Sequence, residues 1–366
     1  MTPRQRFLLY VRQEPGARPV VSPFLPAGEV VTNTLKYLDL PAGDDPIANE
    51  VRLSQALDYE PMFMTDCSGL IFPWQVDEQR SDEDYEVSVL PTLKGDMVRR
   101  VSRRTGQWGD DNSFPIQTEA DHEKFVLICQ RVGDREATIR DYFRTWRERI
   151  GEDGVIVLGH PHPPWLGFQI SQQNIYFHWI DMRESFRRSM DAFFEAALFI
   201  MEIAMEEGID FMSDCAYGTE MTSPDLYRAM DLPYIRAYTD WTHDRGGLFW
   251  YHSCGYTRSL ILEGIFNELG TDVLETIAPP PEGDNDLAES RQYLDRSICS
   301  KGNLNLGLLR DGTPDEVATT TLQMVEAVSG YAHIFSTADA VLPGTPPENF
   351  VAFVQVARKN AATRRG

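Results

Sequence analysis

The amino-acid sequence predicts an α/β fold of the (β/α)8 TIM-barrel type. Short apolar runs alternate along the chain with longer stretches of helical periodicity, which is the pattern of βα units and a parallel sheet. Eight of these runs can be chosen as strands, the number found in a closed barrel whose strands are buried on both faces. Since barrels often run past 250 residues as one domain, we expect residues 1–366 to form a single domain.

The predicted strands are the short apolar runs themselves. In chain order they are residues 19–24, 61–66, 155–158, 211–215, 248–252, 273–277, 298–302 and 333–337. Residues 234–237 are a weaker ninth candidate. Residues 85–114 are rich in Val, Thr, Arg and Gly with alternating character, which predicts a β-hairpin insertion after the second βα unit.

Three helix starts are marked by the same local sequence. In each, a Thr hydroxyl can cap the helix, a Pro follows at the first helical position, and a Gln or Glu three residues after the Thr can bond back to the cap. These segments begin at Thr2, Thr313 and Thr345. Residues 174–208 carry a long amphipathic pattern that ends at a glycine, as a helix before a strand often does.

Composition and charge restrict the environment and the partners. A formal net charge of −22 disfavours nucleic acid and anionic membranes, because binding to polyanions depends on Lys and Arg. The apolar stretch 196–201 is far shorter than the ~20 residues that cross a bilayer. The N-terminus lacks a secretory apolar region, and the five cysteines are odd in number and widely spaced. We therefore expect a cytoplasmic protein without a disulfide framework.

The most informative segment is an apolar run, residues 248–255, that ends in His-x-Cys-Gly. Side chains two positions apart on a strand share a face, so His252 and Cys254 should point together from the end of a barrel strand. Barrel enzymes keep catalytic groups there. Imidazole and thiolate are a favoured pair of zinc ligands, and catalytic zinc needs three protein ligands. The alternative is a buried cysteine beside a core histidine.

Residues 251–255 resemble the His-x-Cys-Gly motif of the zinc-dependent, corrinoid-linked methyltransferases in the uroporphyrinogen decarboxylase-like superfamily. Residues 301–305 and 344–349 are similar to segments after the seventh strand and at the last βα junction of that superfamily. The resemblance covers residues 200–358 well. It implies a TIM barrel, and it guides in part the selection of eight strands.

The resemblance also implies a third metal ligand. In the zinc methyltransferases this ligand is a cysteine after the eighth strand, but residues 335–341 contain no cysteine and Asp339 stands in its place. The implied zinc site is therefore His252, Cys254 and Asp339, with less thiolate and a more electrophilic metal than the family pattern. A turn or capping role is the alternative for Asp339.

Methyl transfer is the function that the resemblance favours. A metal would activate the leaving group of a small O-, S- or N-methyl substrate, and a corrinoid would accept the methyl group. The chain has no Asp-x-His-x-x-Gly cobalamin signature, so the cobalamin would be supplied by a separate corrinoid protein. Residues 23–28 contain no cation and lack the Arg-Gln-Ala-Gly-Arg-Tyr motif of true decarboxylases, which disfavours porphyrin decarboxylation. A homodimer is left open.

Other polar residues close the predicted strands or follow them. The predicted catalytic groups are Asp66, Asp214 and Glu275, and the predicted substrate-binding residues are His160, His162, Tyr217 and Asn303. The prolines around His160 and His162 favour an extended loop in which both rings share a face. Glu275 stands in an apolar setting where a carboxylate needs a partner. Capping, packing and solvated rings are the alternatives.

Two other classes of function remain open on the residues alone. One is a metal-free decarboxylase or lyase acting on a small carboxylate, with Asp66, Asp214 and Asp339 as acidic groups and His252 as acid and base. The other is a non-catalytic barrel that binds a ligand or partner.

Overall fold

The computed structural model describes residues 1–26, 28–104, 114–172 and 174–361. Residues 105–113 of the predicted insertion lie outside this description. Over the described residues the chain forms ten strands: β1 (Met62–Met64), β2 (Gln75–Val76), β3 (Tyr85–Leu90), β4 (Met97–Ser102), β5 (Val155–Val157), β6 (Phe211–Tyr217), β7 (Leu248–Cys254), β8 (Val273–Thr276), β9 (Cys299–Leu304) and β10 (His333–Thr337).

The helices alternate with the strands over most of the chain. Within the same described ranges they are α1 (Pro3–Val11), α2 (Gly28–Tyr37), α3 (Pro46–Leu57), α4 (Ser68–Ile71), α5 (Glu119–Cys129), α6 (Glu136–Ile150), α7 (Asn174–Asp181), α8 (Arg183–Glu206), α9 (Pro224–Met230), α10 (Leu232–His243), α11 (Arg258–Leu262), α12 (Ile265–Glu268), α13 (Leu287–Tyr293), α14 (Leu306–Asp311), α15 (Pro314–Ala327) and α16 (Pro347–Ala361). Short 3₁₀ helices span Val132–Arg135 and Pro163–Phe168.

Seven strands form one parallel sheet in the order β1-β5-β6-β7-β8-β9-β10. The one predicted strand that is not among these seven, residues 19–24, contributes a parallel bridge between Val21 and Phe335 of β10. On its other side, the Val21 carbonyl accepts a 2.9 Å hydrogen bond from the backbone N–H of Glu60, shortly before β1. The segment thus joins the two edges of the sheet, as a closed barrel requires. The predicted TIM-barrel-like α/β fold is confirmed.

The interior of the parallel sheet is one apolar cluster with members from all seven strands. It contains Met62, Val155, Val157, Phe211, Leu248, Trp250, Val273, Cys299 and Ile334. Residues of α1 pack onto this cluster, among them Phe7, whose ring meets Phe211 edge-on at 5.8 Å. Each fully buried apolar side chain contributes about 1.5–3 kcal/mol. The cluster therefore fixes which face of every strand points inward.

Two of the three predicted helix starts have the expected caps. Thr2 and Thr313 each form a capping box, with Gln5 and Glu316 as the returning side chains. At the third, α16 begins at Pro347, and the Thr345 hydroxyl donates to the Leu342 carbonyl instead. This hydroxyl is engaged by the preceding turn, so the capping box predicted there is not formed.

Two other local predictions differ from the structure. Residues 234–237 lie inside α10, where Pro233 occupies the first helical turn, so the ninth strand candidate was wrong. The single amphipathic pattern over residues 174–208 is divided into α7 and α8, because Met182 leaves the helical region with φ −122° and ψ 35°. Both are local backbone choices that hydrophobic periodicity does not register.

The described chain divides into two compact units. The first comprises Met1–Met64, Thr145–Val157 and Ile209–Gly366 and holds the seven-stranded sheet. The second comprises Thr65–Arg144 and Leu158–Gly208 and holds an antiparallel sheet of β2, β3 and β4. The predicted hairpin is confirmed by the pairing of β3 with β4. The single-domain organisation stays a prediction.

The length and composition of the helices decide whether any of them could span a membrane. Within the described ranges, no helix combines the length and the apolar character needed to span a bilayer.

Candidate metal centre

A row of three ionisable side chains crosses the interior of the parallel sheet. His252 on β7 pairs in register with Glu275 on β8, and Glu275 pairs with Lys301 on β9. Each lies two residues beyond a member of the apolar cluster, namely Trp250, Val273 and Cys299. Because strand side chains alternate between faces, the three groups point to the interior above that cluster.

Three side chains converge at one end of the sheet. His252 and Cys254 from the end of β7 meet Asp339 from the segment after β10, and their ligand atoms all lie within 4.8 Å of one another. We call these three residues the metal group. All three are partly exposed. The geometry agrees with the predicted common face of His252 and Cys254, and it brings Asp339 to the same place.

Gly255 explains how the chain turns directly after Cys254. Its φ is +82°, a left-handed conformation that side-chain-bearing residues rarely adopt. The Glu220 carboxylate also occupies the space where a Cβ would lie, and it accepts the backbone N–H of Tyr256 at 2.7 Å. The positive φ therefore favours a glycine at this position of the motif, and any other residue there would also displace the Glu220 carboxylate.

Glu275 is the hub of the buried row. Its carboxylate accepts a 2.8 Å hydrogen bond from Trp250 Nε1, contacts the Lys301 ammonium, and lies 3.4 Å from His252 Nδ1. Burial alone would raise the pKa of Glu275, but the charges and hydrogen bonds of Lys301 and His252 hold that pKa well below its ordinary value. Glu275 is therefore a carboxylate at neutral pH.

Lys301 supplies the compensating charge inside the sheet. Its side chain has no exposed surface, and its ammonium faces the rings of Trp250 and Phe24 at 5.6 and 5.8 Å. A fully buried ammonium is stable only with a paired anion, which is Glu275 here. The adjoining Gly302 allows β9 to approach β8, because a Cβ there would meet the Thr276 carbonyl oxygen at 2.1 Å.

His252 is held between the metal group and Glu275. Burial lowers its pKa, but hydrogen bonding to Cys254 and to Glu275 outweighs burial and raises the pKa of His252 to about 10 in the metal-free protein. A carboxylate on one ring nitrogen orients the imidazole and directs the other nitrogen outward. The 3.4 Å distance from His252 Nδ1 to Glu275 Oε2 supports such a carboxylate–histidine pair, with Nδ1 facing Glu275.

The other predicted residues of the first unit take different positions. Tyr217 pairs in register with Cys254, so it lies beside the metal group and is partly exposed. Asp214 pairs instead with Tyr251, whose hydroxyl meets that of Tyr227 on α9, and this places Asp214 on the helix-facing side of β6. The Asn303 amide donates to the Ile277 carbonyl at 3.0 Å. Their catalytic and substrate-binding roles stay predictions.

The remaining predicted residues belong to the second unit. Asp66 is exposed, and its carboxylate accepts the backbone N–H of Gly69 at 2.9 Å, a turn-capping contact. His162 is buried with its ring 4.8 Å from Trp165, whereas His160 is partly exposed. Roles in catalysis or substrate binding stay predictions for these three residues.

The sequence analysis did not identify Lys301 and Trp250 as the residues that bind the Glu275 carboxylate beside His252. A signal was present, because Lys301 interrupts a run that is otherwise a buried strand, and Lys is almost never fully buried without a partner. Glu275 raised the same question in the neighbouring strand. The sequence therefore indicated that each of the two charged residues needs a partner if buried, although it did not identify that partner.

Comparison with known protein families gives a match over two thirds of the chain. The family model described as uroporphyrinogen decarboxylase (URO-D) matches residues 115–360. This range contains β5 to β10, and with them the whole metal group and the buried row.

Curated relatives match more narrowly. The chain is 34% identical over 73 residues to a uroporphyrinogen decarboxylase from Prochlorococcus marinus (strain NATL1A), and the match spans 20% of each protein. It is 24% identical over 258 residues to one from Trichodesmium erythraeum (strain IMS101), covering 67% of this chain and 69% of the relative. The first match therefore spans about a fifth of the relative's length.

Among solved structures, the chain is similar to a methyltransferase from Methanosarcina mazei. The TM-score is 0.64 at 14% sequence identity, and the match covers 98% of this chain and 99% of the other. At this identity the likeness establishes a shared fold and nothing finer.

Proposed function

Because this chain belongs to the uroporphyrinogen decarboxylase (URO-D) family, we propose that it is a metal-dependent methyltransferase of that family. In this proposal it removes a methyl group from a small methylated compound and passes it to a corrinoid carried by a separate protein. The observation that supports the proposal is the convergence of His252, Cys254 and Asp339 within 4.8 Å.

The donor set fits zinc. Imidazole nitrogen, thiolate sulfur and carboxylate oxygen are the three donor types that zinc accepts, and three protein ligands leave a fourth position for substrate. One thiolate and one carboxylate balance the charge of Zn²⁺ as two thiolates would. Zinc bound there would act as a Lewis acid on the heteroatom that carries the methyl group and would stabilise the leaving group.

The chain's own residues would hold that site in order. Glu275 would accept the Nδ1–H of His252 and so present Nε2 to the metal. Lys301 and Trp250 bind Glu275 and keep its carboxylate in place. Asp339 Oδ1 accepts the backbone N–H of Ala340 at 2.6 Å, which restrains the carboxylate of the third ligand. The half-buried Tyr217 lies beside Cys254, and in this proposal it would contact substrate.

Porphyrin decarboxylation is the activity that the family name suggests, and one feature argues against it. Residues 23–28 carry no cation that could bind the carboxylates of such a substrate. Instead Phe24 lies over the Lys301 ammonium, whose charge is already balanced by Glu275. The family relationship still favours, as a second candidate, a metal-free decarboxylase or lyase acting on a smaller carboxylate.

Elemental analysis tests the metal part of the proposal. We expect about one zinc per chain in wild-type protein reconstituted with zinc, and loss of that zinc in Cys254→Ala. Cys129→Ala is the matched control, because Cys129 is a buried cysteine in α5 of the second unit and should not affect the zinc content. Natively folded wild-type protein without bound zinc would contradict the proposal.

An activity assay tests the reaction itself. Zinc-loaded protein should demethylate a member of a panel of small O-, S- and N-methyl compounds when reduced cobalamin is supplied as acceptor. The Cys254→Ala variant should be inactive in the same assay. Release of carbon dioxide from small carboxylates, independent of both zinc and cobalamin, would support the second candidate instead.

A further inference from the structure

A cavity of about 410 Å³ lies within the second unit, away from any residue of the metal group in sequence. Its walls are the turn between β3 and β4, the last turn of α5, residues 71–75, and the beginning of the helical segment at residues 131–135. The volume is within the range of about 300–1,000 Å³ that is typical of small-molecule sites.

The cavity is mostly apolar. Its lining includes Ile71, Leu90, Pro91, Leu127 and Ile128. At its rim lies Leu93, whose side chain is 98% exposed. The turn that carries Leu93 is fastened to α5 by a 2.5 Å ion pair between Lys94 and Glu123.

One guanidinium of the lining forms no ion pair within the part of the chain that the structure describes. Arg135 is half-buried, and its Nη2 donates to the backbone carbonyls of Leu70 and Ile71, which carry no net charge. Among the described residues, no carboxylate oxygen comes within 4.0 Å of it. Burial lowers the pKa of Arg135 and outweighs the opposite effect of the nearby Asp134 charge.

The neighbouring Arg131 provides the contrast. It is exposed, and its Nε lies 3.0 Å from Asp134. The ionisable side chains of the lining are Arg131, Asp134 and Arg135, so the pair cancels and one positive charge is left at Arg135. In a chain with a formal net charge of −22, a positive cavity wall is a local exception.

We propose that this cavity binds an amphipathic anion. The apolar body of the ligand would lie against Leu90, Leu127 and Ile71 and cover Leu93. Its carboxylate, sulfonate or phosphate group would pair with Arg135, since planar guanidinium favours such oxyanions. The proposal depends only on residues of the second unit, so it stands or falls independently of methyl transfer.

Two fluorescent probes of nearly equal shape test the proposal. 8-Anilinonaphthalene-1-sulfonate carries the anion, and N-phenyl-1-naphthylamine is the same ring system without it. We expect wild-type protein to bind the sulfonate at least about tenfold more tightly than the neutral probe, the range of a charge-assisted hydrogen bond. Equal binding of the two probes would overturn the anion site and indicate a plain apolar docking surface.

Four variants locate the binding. Arg135→Gln should abolish the preference for the sulfonate, and Arg135→Lys should keep most of it while controlling for folding. Arg131→Gln is the matched control and should change binding less than about twofold, because an exposed pair contributes little. Leu127→Trp should fill the cavity and abolish binding of both probes. Sulfonate binding that survives Arg135→Gln or Leu127→Trp would overturn the proposal.

Discussion

A single carboxylate oxygen of Glu275 lies between Trp250 and His252, and we propose that it orients the His252 ring. Oε2 accepts from Trp250 and also lies 3.4 Å from His252 Nδ1, whereas Oε1 contacts Lys301. Outer carboxylates of this kind commonly contribute 10–100-fold to metal affinity, because they set the ring angle and the basicity of the ligand. The role of Glu275 can thus be measured without any assay of turnover.

We predict that Glu275→Gln weakens zinc binding about 10–100-fold while leaving the native circular dichroism intact. The amide retains the shape of the carboxylate but lacks its charge. Competition with a chromophoric chelator measures the affinity directly. Glu263→Gln serves as control, since Glu263 is an exposed residue on the surface paired with Arg228. An unchanged zinc affinity in folded Glu275→Gln would contradict the role given to the carboxylate.

With Asp339 as a ligand, the metal group would offer a metal one hard oxygen donor where a site with two cysteines offers a second, softer sulfur. An Asp339→Cys variant keeps the charge of the ligand set but exchanges an oxygen for a softer sulfur. We predict tighter zinc binding and, after substitution with cobalt(II), a stronger sulfur-to-metal charge-transfer absorption than in wild-type protein. If Asp339 does not reach the metal, that absorption will be the same in both proteins.

Glu275 and Lys301 form a buried ion pair between β8 and β9. Breaking a buried pair by removing one partner costs about 3–5 kcal/mol, because the other charge is left buried alone. We predict that Lys301→Met lowers the free energy of unfolding, measured in urea, by that amount. The double variant Lys301→Met with Glu275→Gln should recover a large part of it. Additive losses would show that the two side chains are not coupled.

A buried acidic residue on α3 should make the stability of the protein depend on pH. Burial raises the pKa of Glu50 to about 8, and its Oε1 has no hydrogen-bond partner within the described part of the chain. The unfolded chain releases this proton near pH 4.5, so between about pH 4.5 and 8 the folded state binds more protons than the unfolded state. The contribution of Glu50 to the free energy of unfolding therefore falls as the pH rises through this window.

We predict that Glu50→Gln removes that slope and stabilises the protein at pH 7 by a few kcal/mol relative to wild type. Urea midpoints measured from pH 5 to pH 8 check both the slope and its loss. Glu29→Gln on α2 is a suitable control, since Glu29 is an exposed acid. A difference between the wild-type and Glu50→Gln midpoints that stays constant from pH 5 to pH 8 would contradict the burial argument.

Strand alternation was enough to predict that His252 and Cys254 share a face, because it is a local property of the backbone. Asp339 came only from a family resemblance, since no local pattern links the segment after β10 to the end of β7. The contact of Glu275 with Lys301 depends on the register between β8 and β9. Register between distant segments is set by packing of the whole sheet, so it was not predictable from one sequence.

The division of the chain into two units was likewise not predictable from the sequence. The path leaves the first unit after Met64, returns at Thr145, leaves again after Val157 and returns at Ile209. None of these points is marked by a linker or a change in composition. The βα pattern therefore predicted the barrel, whereas the grouping into two compact units follows from long-range contacts that the pattern does not contain.

The acidic surface makes the stability of the molecule depend on ionic strength. With 56 acidic and 34 basic residues, folding gathers an excess of negative charge that repels itself. Exposed ion pairs weaken with salt, but each contributes only about 0–1 kcal/mol, so we expect the net repulsion to dominate. The Debye length falls from about 30 Å at 0.01 M to about 8 Å at 0.15 M salt.

We predict that the urea midpoint in chelator-treated buffer rises with sodium chloride over this range and then levels off. Screening saturates, whereas exclusion of a salt from the surface strengthens steadily with its concentration. A midpoint that falls with added salt would instead mean that the exposed ion pairs outweigh the repulsion.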